Sequence, residues 1–148
     1  MANYECAIRT NYFHVKDKEA FLEFTKKVVC CEDNLDVWEK TDKDEKTVFG
    51  FGCFSSIMGI SEQPEEDEDT ASYDNFIEEL KKLIADDDAV IIFEIGREKL
   101  RYLNGTAEIV TSDDYTCLNL TDFAVNQARK MLNNSKSRNE KCYNRTRG

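Results

Sequence analysis

One histidine, six cysteines and 30 acidic side chains are the groups in this chain that could do chemistry. Their spacing decides which chemistry. His14 follows Phe13 in a strand-like stretch. A general base needs an oriented partner within hydrogen-bond reach, and no neighbour in sequence supplies one, so His14 reads as a structural imidazole. Cys30 and Cys31 are adjacent, not spaced as Cys-x-x-Cys, and together with Cys53 and His14 they match no zinc-ligand pattern. Cys6, Cys53 and Cys117 fall at strand positions and read as small buried hydrophobes. Gly50-Phe51-Gly52 lies inside a strand with no helix close behind it, which is not a dinucleotide fingerprint. Asp86-Asp87-Asp88 lacks the ligand positions of a calcium loop. The expectation is a non-enzymatic protein with no catalytic residue, no metal and no cofactor.

Charge is the stronger signal. The formal net charge is −10, and it is uneven. From Glu32 to Glu98 there are 21 acids and 6 bases, a net of −15, whereas Arg129 to Gly148 has 7 bases and 1 acid, a net of +6. An acidic surface repels nucleic acid and attracts basic surfaces. It also serves solubility alone. The sharper expectation is that the carboxylates stand in for a phosphate backbone, whose charges come about every 1.7 Å of duplex axis. The expected partner is then a basic protein surface, that of a nucleic-acid-binding protein or nuclease, with no direct DNA binding by the acidic body and no membrane. Candidate contacts are Asp36, Asp42, Asp44, Glu45, Glu65, Glu66, Asp67, Glu68, Asp69, Asp86, Asp87 and Asp88, with Trp38 as an aromatic anchor. Two alternatives stand beside this. One is a homodimer or assembly protein that pairs through a sheet edge or through Trp38 and Met58. The other is a small-ligand domain with a pocket over Gly50 and Gly52, since glycines inside a strand leave room for close packing.

The elements that must position these residues follow from periodicity. The pattern predicts an α+β domain over 1–134, an antiparallel sheet of about six strands with three helices in the order βαββ-αβββ-α. An acidic loop covers 61–70, and 135–148 reads as a basic, disordered tail. Asn3 to Val15 is a first strand, with a bend at Thr10-Asn11. Asp17 caps a helix whose apolar face is Phe21, Phe24 and Val28, with Leu22 and Val29 beside it, ending at Cys30-Cys31. Leu35 to Lys40 and Thr47 to Phe54 form a hairpin across the charged turn Thr41 to Lys46. Ser55 to Ser72 is a loop. Tyr73 to Ala85 is the clearest helix, with Phe76, Ile77, Leu80, Leu83 and Ile84 on one stripe and Asp74 and Lys81-Lys82 placed to suit its dipole. Val90 to Ile95 is a buried strand, Gly96-Arg97-Glu98 a turn, and Asn104-Gly105 a type I′ turn. Tyr115 to Leu120 is a further strand. Thr121 or Asp122 caps a last helix that buries Phe123, Ala124, Ala128, Met131 and Leu132. The first residues carry neither a basic region nor an apolar run, so the expectation is a cytoplasmic protein with reduced thiols.

Arg9-Thr10-Asn11-Tyr12-Phe13 with Asp17, the Gly50-Phe51-Gly52 strand, and Leu118-Asn119-Leu120-Thr121-Asp122 resemble small acidic proteins of unassigned role carried on plasmids, phages and conjugative elements of Gram-positive bacteria. No catalytic motif defines that group, so the resemblance transfers no site residues. It implies a mobile-element setting, in which acidic inhibitors of bacterial defence systems are common.

Overall fold

Runs rich in β-branched and aromatic residues become strands, and three amphipathic segments become helices, in a computed structural model that describes residues 4–62 and 71–133. The predicted acidic stretch Glu65 to Asp69, most of the 61–70 loop, and the predicted basic tail lie outside the described residues. The order is β1 (Glu5–Thr10), α1 (Lys18–Lys26), β2 (Val28–Cys30), β3 (Asp36–Thr41), β4 (Thr47–Cys53), β5 (Ile57–Ile60), α2 (Tyr73–Leu83), β6 (Val90–Glu98), β7 (Tyr102–Val110), β8 (Tyr115–Asn119) and α3 (Leu120–Asn133). Six strands form one antiparallel sheet in the order β3-β4-β1-β6-β7-β8, and β2 pairs with β5 in a small second sheet. This is the α+β arrangement expected, with the two short strands added.

Both capped helices cover one face of the sheet. The Asp17 carboxylate accepts from the backbone N–H groups of Glu19 and Ala20, and the Ser72 hydroxyl accepts from Asn75 N–H, so each helix starts with orphan donors satisfied. Phe21 and Phe24 of α1 and Phe76, Ile77 and Leu80 of α2 point inward. They meet Phe49 and Phe51 of β4 in an aromatic chain: Phe21 to Phe49 at 4.9 Å, Phe24 to Phe76 at 5.5 Å and Phe51 to Phe76 at 6.2 Å between centroids. Each such ring contributes about 1.5–3 kcal/mol through burial alone. The opposite, outer face is finished differently in its two halves. Over β3-β4-β1, Arg9 stacks on Trp38 at 4.6 Å and Lys40 on Tyr12 at 4.8 Å. Over β6-β7-β8, Phe93, Ile95 and Leu118 stand exposed.

Several sequence expectations are corrected. β1 stops at Thr10, and Phe13 and Val15 make only single bridges, to Phe49 and Ile84. α1 stops at Lys26; Val28, Val29 and Cys30 leave it to pair with Ile60, Gly59 and Ile57, their β-branching favouring a strand once the small sheet offers a partner. Gly96-Arg97-Glu98 is strand, not turn. The hairpin closes at residues 99–101, where Lys99 takes φ 50°. Asn104-Gly105 therefore lies inside β7, opposite Gly96 and Ile95. Its composition has other causes. A Cβ on Gly105 would lie 3.0 Å from Leu120 Cδ2, and Asn104 Nδ2 donates to Tyr4 Oη at 3.1 Å and Glu94 Oε2 at 3.2 Å. The cap of α3 is Asn119, whose Oδ1 accepts from Thr121 N–H at 2.8 Å and Asp122 N–H at 3.3 Å. Its predicted buried face is largely wrong as well. Phe123 and Met131 are 64% and 62% exposed and Val125 is the buried residue, because α3 lies on the outer face and no described element lies above it.

Candidate functional site

The β3–β4 turn and the α2–β6 loop approach each other at one end of the sheet, and His14 joins them. The chain leaves β1 at Thr10, and the Phe13 bridge to Phe49 places His14 between the two loops. His14 Nε2 lies 2.7 Å from Asp42 Oδ2 and Nδ1 lies 2.8 Å from Asp88 Oδ2, which also accepts from His14 N–H at 2.8 Å. An ionised carboxylate only accepts, so both ring nitrogens carry protons and the ring is an imidazolium. The hydrogen bond to Asp42, then that to Asp88, raises the His14 pKa, against a smaller opposing effect of burial. Asp42 titrates below the usual carboxylate range, held first by Lys46 N–H and then by His14. Asp88 is also lowered: burial opposes ionisation, but the backbone and ring donors of His14 and the N–H of Ala89 outweigh it.

This clip is built locally. Asp42 Oδ1 accepts from the N–H groups of Asp44 and Lys46, both at 2.9 Å, which folds the turn and leaves Oδ2 for His14. Lys16 pairs with Asp86 at 3.0 Å. Asp44, Glu45 and Asp87 stand as exposed carboxylates at this end. Six of the predicted contacts, Asp42, Asp44, Glu45, Asp86, Asp87 and Asp88, are thus brought together. Two are not. Asp36 begins β3 at the far end of the hairpin, opposite Gly52. Trp38 lies under Arg9 on the outer face and is half-buried, so it is not a projecting anchor. The space over Gly50 and Gly52, read as a candidate pocket, is filled: a Cβ on Gly50 would meet the Tyr12 ring at 3.5 Å, and one on Gly52 the Trp38 ring at 3.2 Å.

The clip makes stability depend on pH. His14→Ala leaves Asp42 and Asp88 facing each other with no donor between them and is expected to destabilise the fold modestly, since each lost bond is charge-assisted but screened by solvent. The contribution of the imidazolium is fully present below the unfolded value of about 6.5. It is lost as pH rises through the raised folded value. On the acid side, the contribution of Asp42 and Asp88 is present above about pH 4 and lost as pH falls through their lowered values. Urea unfolding of wild type and His14→Ala between these limits should show the widest gap, shrinking toward alkaline pH. A gap unchanged from acid to alkaline pH would exclude the imidazolium.

Two further polar clusters were not legible. On the inner face beyond α2, Glu108 accepts from Tyr73 and, at 2.5 Å, from Tyr115, while Glu94 accepts from Tyr4 at 2.8 Å. Burial, then the hydrogen bond to Glu94, pushes the Tyr4 phenol up to about 12; burial and Glu108 push Tyr73 and Tyr115 up as well. These bonds tie α2 and β8 to β7. An acid at an inward position of an apolar strand is a signal that sequence does hold; its tyrosine partners, up to 90 residues away, are not. At the other end of β4, Cys30 and Cys53 are close enough to share a proton, which lowers the Cys53 pKa and raises that of Cys30. Cys53 is buried and donates to Ser55 O at 3.0 Å, so it presents no nucleophile to solvent. Six residues of β4 separate this thiol pair from the His14 end, roughly 20 Å at strand rise. No group of three or more His, Cys, Asp or Glu among the described residues is arranged to hold a metal. No helix among them is long and apolar enough to cross a membrane. No family model, curated protein or solved structure matches the chain.

Proposed function

We propose that this chain is a non-enzymatic acidic binding protein that occludes a basic, nucleic-acid-binding surface on a partner, as a DNA-mimic-like inhibitor of a bacterial defence system would. The observation that carries this reading is the joining of two acidic loops by His14. Imidazolium and Lys16 neutralise the carboxylates that hold the structure together, and Asp44, Glu45 and Asp87 are left to face outward on a rigid turn and loop. Fixed charges lose less entropy on binding than mobile ones, so preorganisation favours association. The resemblance to mobile-element proteins supports the defence setting.

The test uses Asp44→Lys/Glu45→Lys/Asp87→Lys. All three side chains are exposed, so the fold should tolerate the change within about 0.5 kcal/mol. Wild-type protein on a resin is challenged with lysate of a Gram-positive host at low and high salt, with duplex DNA as competitor. The expected result is a basic nucleic-acid-binding protein that both salt and DNA displace, and that the triple variant retains about tenfold less well, from roughly 0.5 kcal/mol per exposed pair. Equal retention by the folded variant, or retention indifferent to DNA, would overturn the reading.

A further inference from the structure

The two edges of the main sheet are protected unequally. β3 carries Asp36, Glu39 and Lys40 along its length and ends in the charged turn, the usual defence of an exposed strand. β8, Tyr-Thr-Cys-Leu-Asn, has no charge, no proline and no bulge in its pairing with β7. Its first four residues are exposed. The register fixes which backbone groups are free. Thr111 N–H donates to Asp114 O at the mouth of the hairpin. By the alternation of an antiparallel ladder, Thr116 and Leu118 bond to β7, while Tyr115 and Cys117 turn their N–H and C=O outward, and Asn119, whose C=O enters the first turn of α3, turns its N–H outward. Cys117 is the middle residue of the five.

Beside this edge lies an apolar part of the outer face that no described residue covers. Phe93, Ile95, Leu118, Leu120 and Phe123, between 46% and 64% exposed, line a groove of about 220 Å³ between the sheet and α3. Leu118, Leu120 and Phe123 border the β8 edge and at roughly 100 Å² each offer about 300 Å² of apolar surface. With the backbone edge added, this is a small patch beside the ~800 Å² that one partner contributes to a standard interface, the size of a concentration-dependent dimer.

We propose that β8 is a dimer seam at which a second copy of this chain adds its own β8 antiparallel about a two-fold axis through Cys117. A five-residue strand with outward groups at its first, third and fifth positions is complementary to itself. Cys117 pairs with the partner copy's Cys117, and each Tyr115 with the other chain's Asn119. Thr116 and Leu118 then alternate across the outer side of the seam, next to Leu120 and Phe123 of both copies. The result is a continuous twelve-stranded sheet with its free edges at the two β3 strands. The seam is separate from the acidic end, and the two respond oppositely to salt. Binding to a basic partner weakens as salt rises, whereas pairing of two chains of charge −10 strengthens as their repulsion is screened.

The experiment is light scattering with size exclusion on the full chain, from micromolar to submillimolar concentration at low and high salt, together with a short bismaleimide crosslinker. The expected result is twice the chain mass, more dimer at high salt, and a crosslink that Cys117→Ser abolishes. Cys117→Pro, which removes only an outward-facing N–H and so keeps every bond to β7, should return the mass to one chain while the circular dichroism spectrum is unchanged. A monomer at every concentration would overturn the proposal. So would a dimer that survives Cys117→Pro and gives no Cys117-dependent crosslink.

Discussion

Phe76→Ala is expected to lower the free energy of unfolding by about 3–5 kcal/mol, the cost of an unfilled aromatic cavity. Phe76 has no exposed surface and is where both helices meet the sheet: its ring packs against Phe24 of α1 at 5.5 Å, Phe51 of β4 at 6.2 Å and Tyr73 of its own helix at 5.3 Å. Alanine leaves a void bounded by rings on both helices and the sheet, and rings of fixed size close such a void poorly. Domains of this kind have about 5–15 kcal/mol in total, so the variant should unfold at markedly lower urea with an unchanged slope. Phe54→Ala is the control. That ring is 78% exposed and should shift stability by less than about 0.5 kcal/mol. Equal effects from the two would show that the aromatic chain is not the core.

The core was legible because its signal is local. Phe76, Ile77 and Leu80 declare a helical stripe, and Phe49, Phe51 and Cys53 declare a strand face, whatever lies elsewhere. The misplaced hairpin shows the limit. Asn104-Gly105 carries the composition of a tight turn, yet Gly105 answers to Leu120 and Asn104 to Tyr4, contacts made across 15 and 100 residues of chain. Lys99, a residue with no turn signature, takes the positive φ instead. The acidic end was half legible. Composition placed Asp42, Asp44 and Asp86 to Asp88 in loops, and those loops exist. That one histidine fastens them side by side depends on β1 running next to both β4 and β6, an order that periodicity cannot state. α3 failed for a different reason: its stripe is apolar, but burial needs a second layer that none of the described elements places over Phe123.

Gly52→Ala is expected to cost about 2–3 kcal/mol, the scale of an overpacked site, and to loosen the acidic end from the body. The β3–β4 hairpin joins the rest of the sheet by little: β4 pairs with β1 at Ile8–Cys53 and Arg9–Gly52, with one further bridge from Phe13 to Phe49. A Cβ on Gly52 would fall 2.3 Å from the carbonyl oxygen of Ile8 and 3.2 Å from the Trp38 ring. The first neighbour is backbone and cannot rotate away, so the strands must part, breaking ladder bonds and lifting Trp38 from Arg9. Gly50→Ala is the discriminating control. Two residues along the same face, its Cβ would meet only ordinary contacts at 3.4 and 3.5 Å, and the smaller loss of backbone freedom in the unfolded chain even favours the change. Because Asp42 reaches His14 from the tip of that hairpin, Gly52→Ala should also flatten the pH dependence of stability, whereas Gly50→Ala should preserve it. Hydrogen exchange at Phe49 and Phe51 reports the separation directly: faster exchange in Gly52→Ala alone is the expected result, and equal protection in both variants would show that the close approach at Gly52 does not hold the hairpin in place.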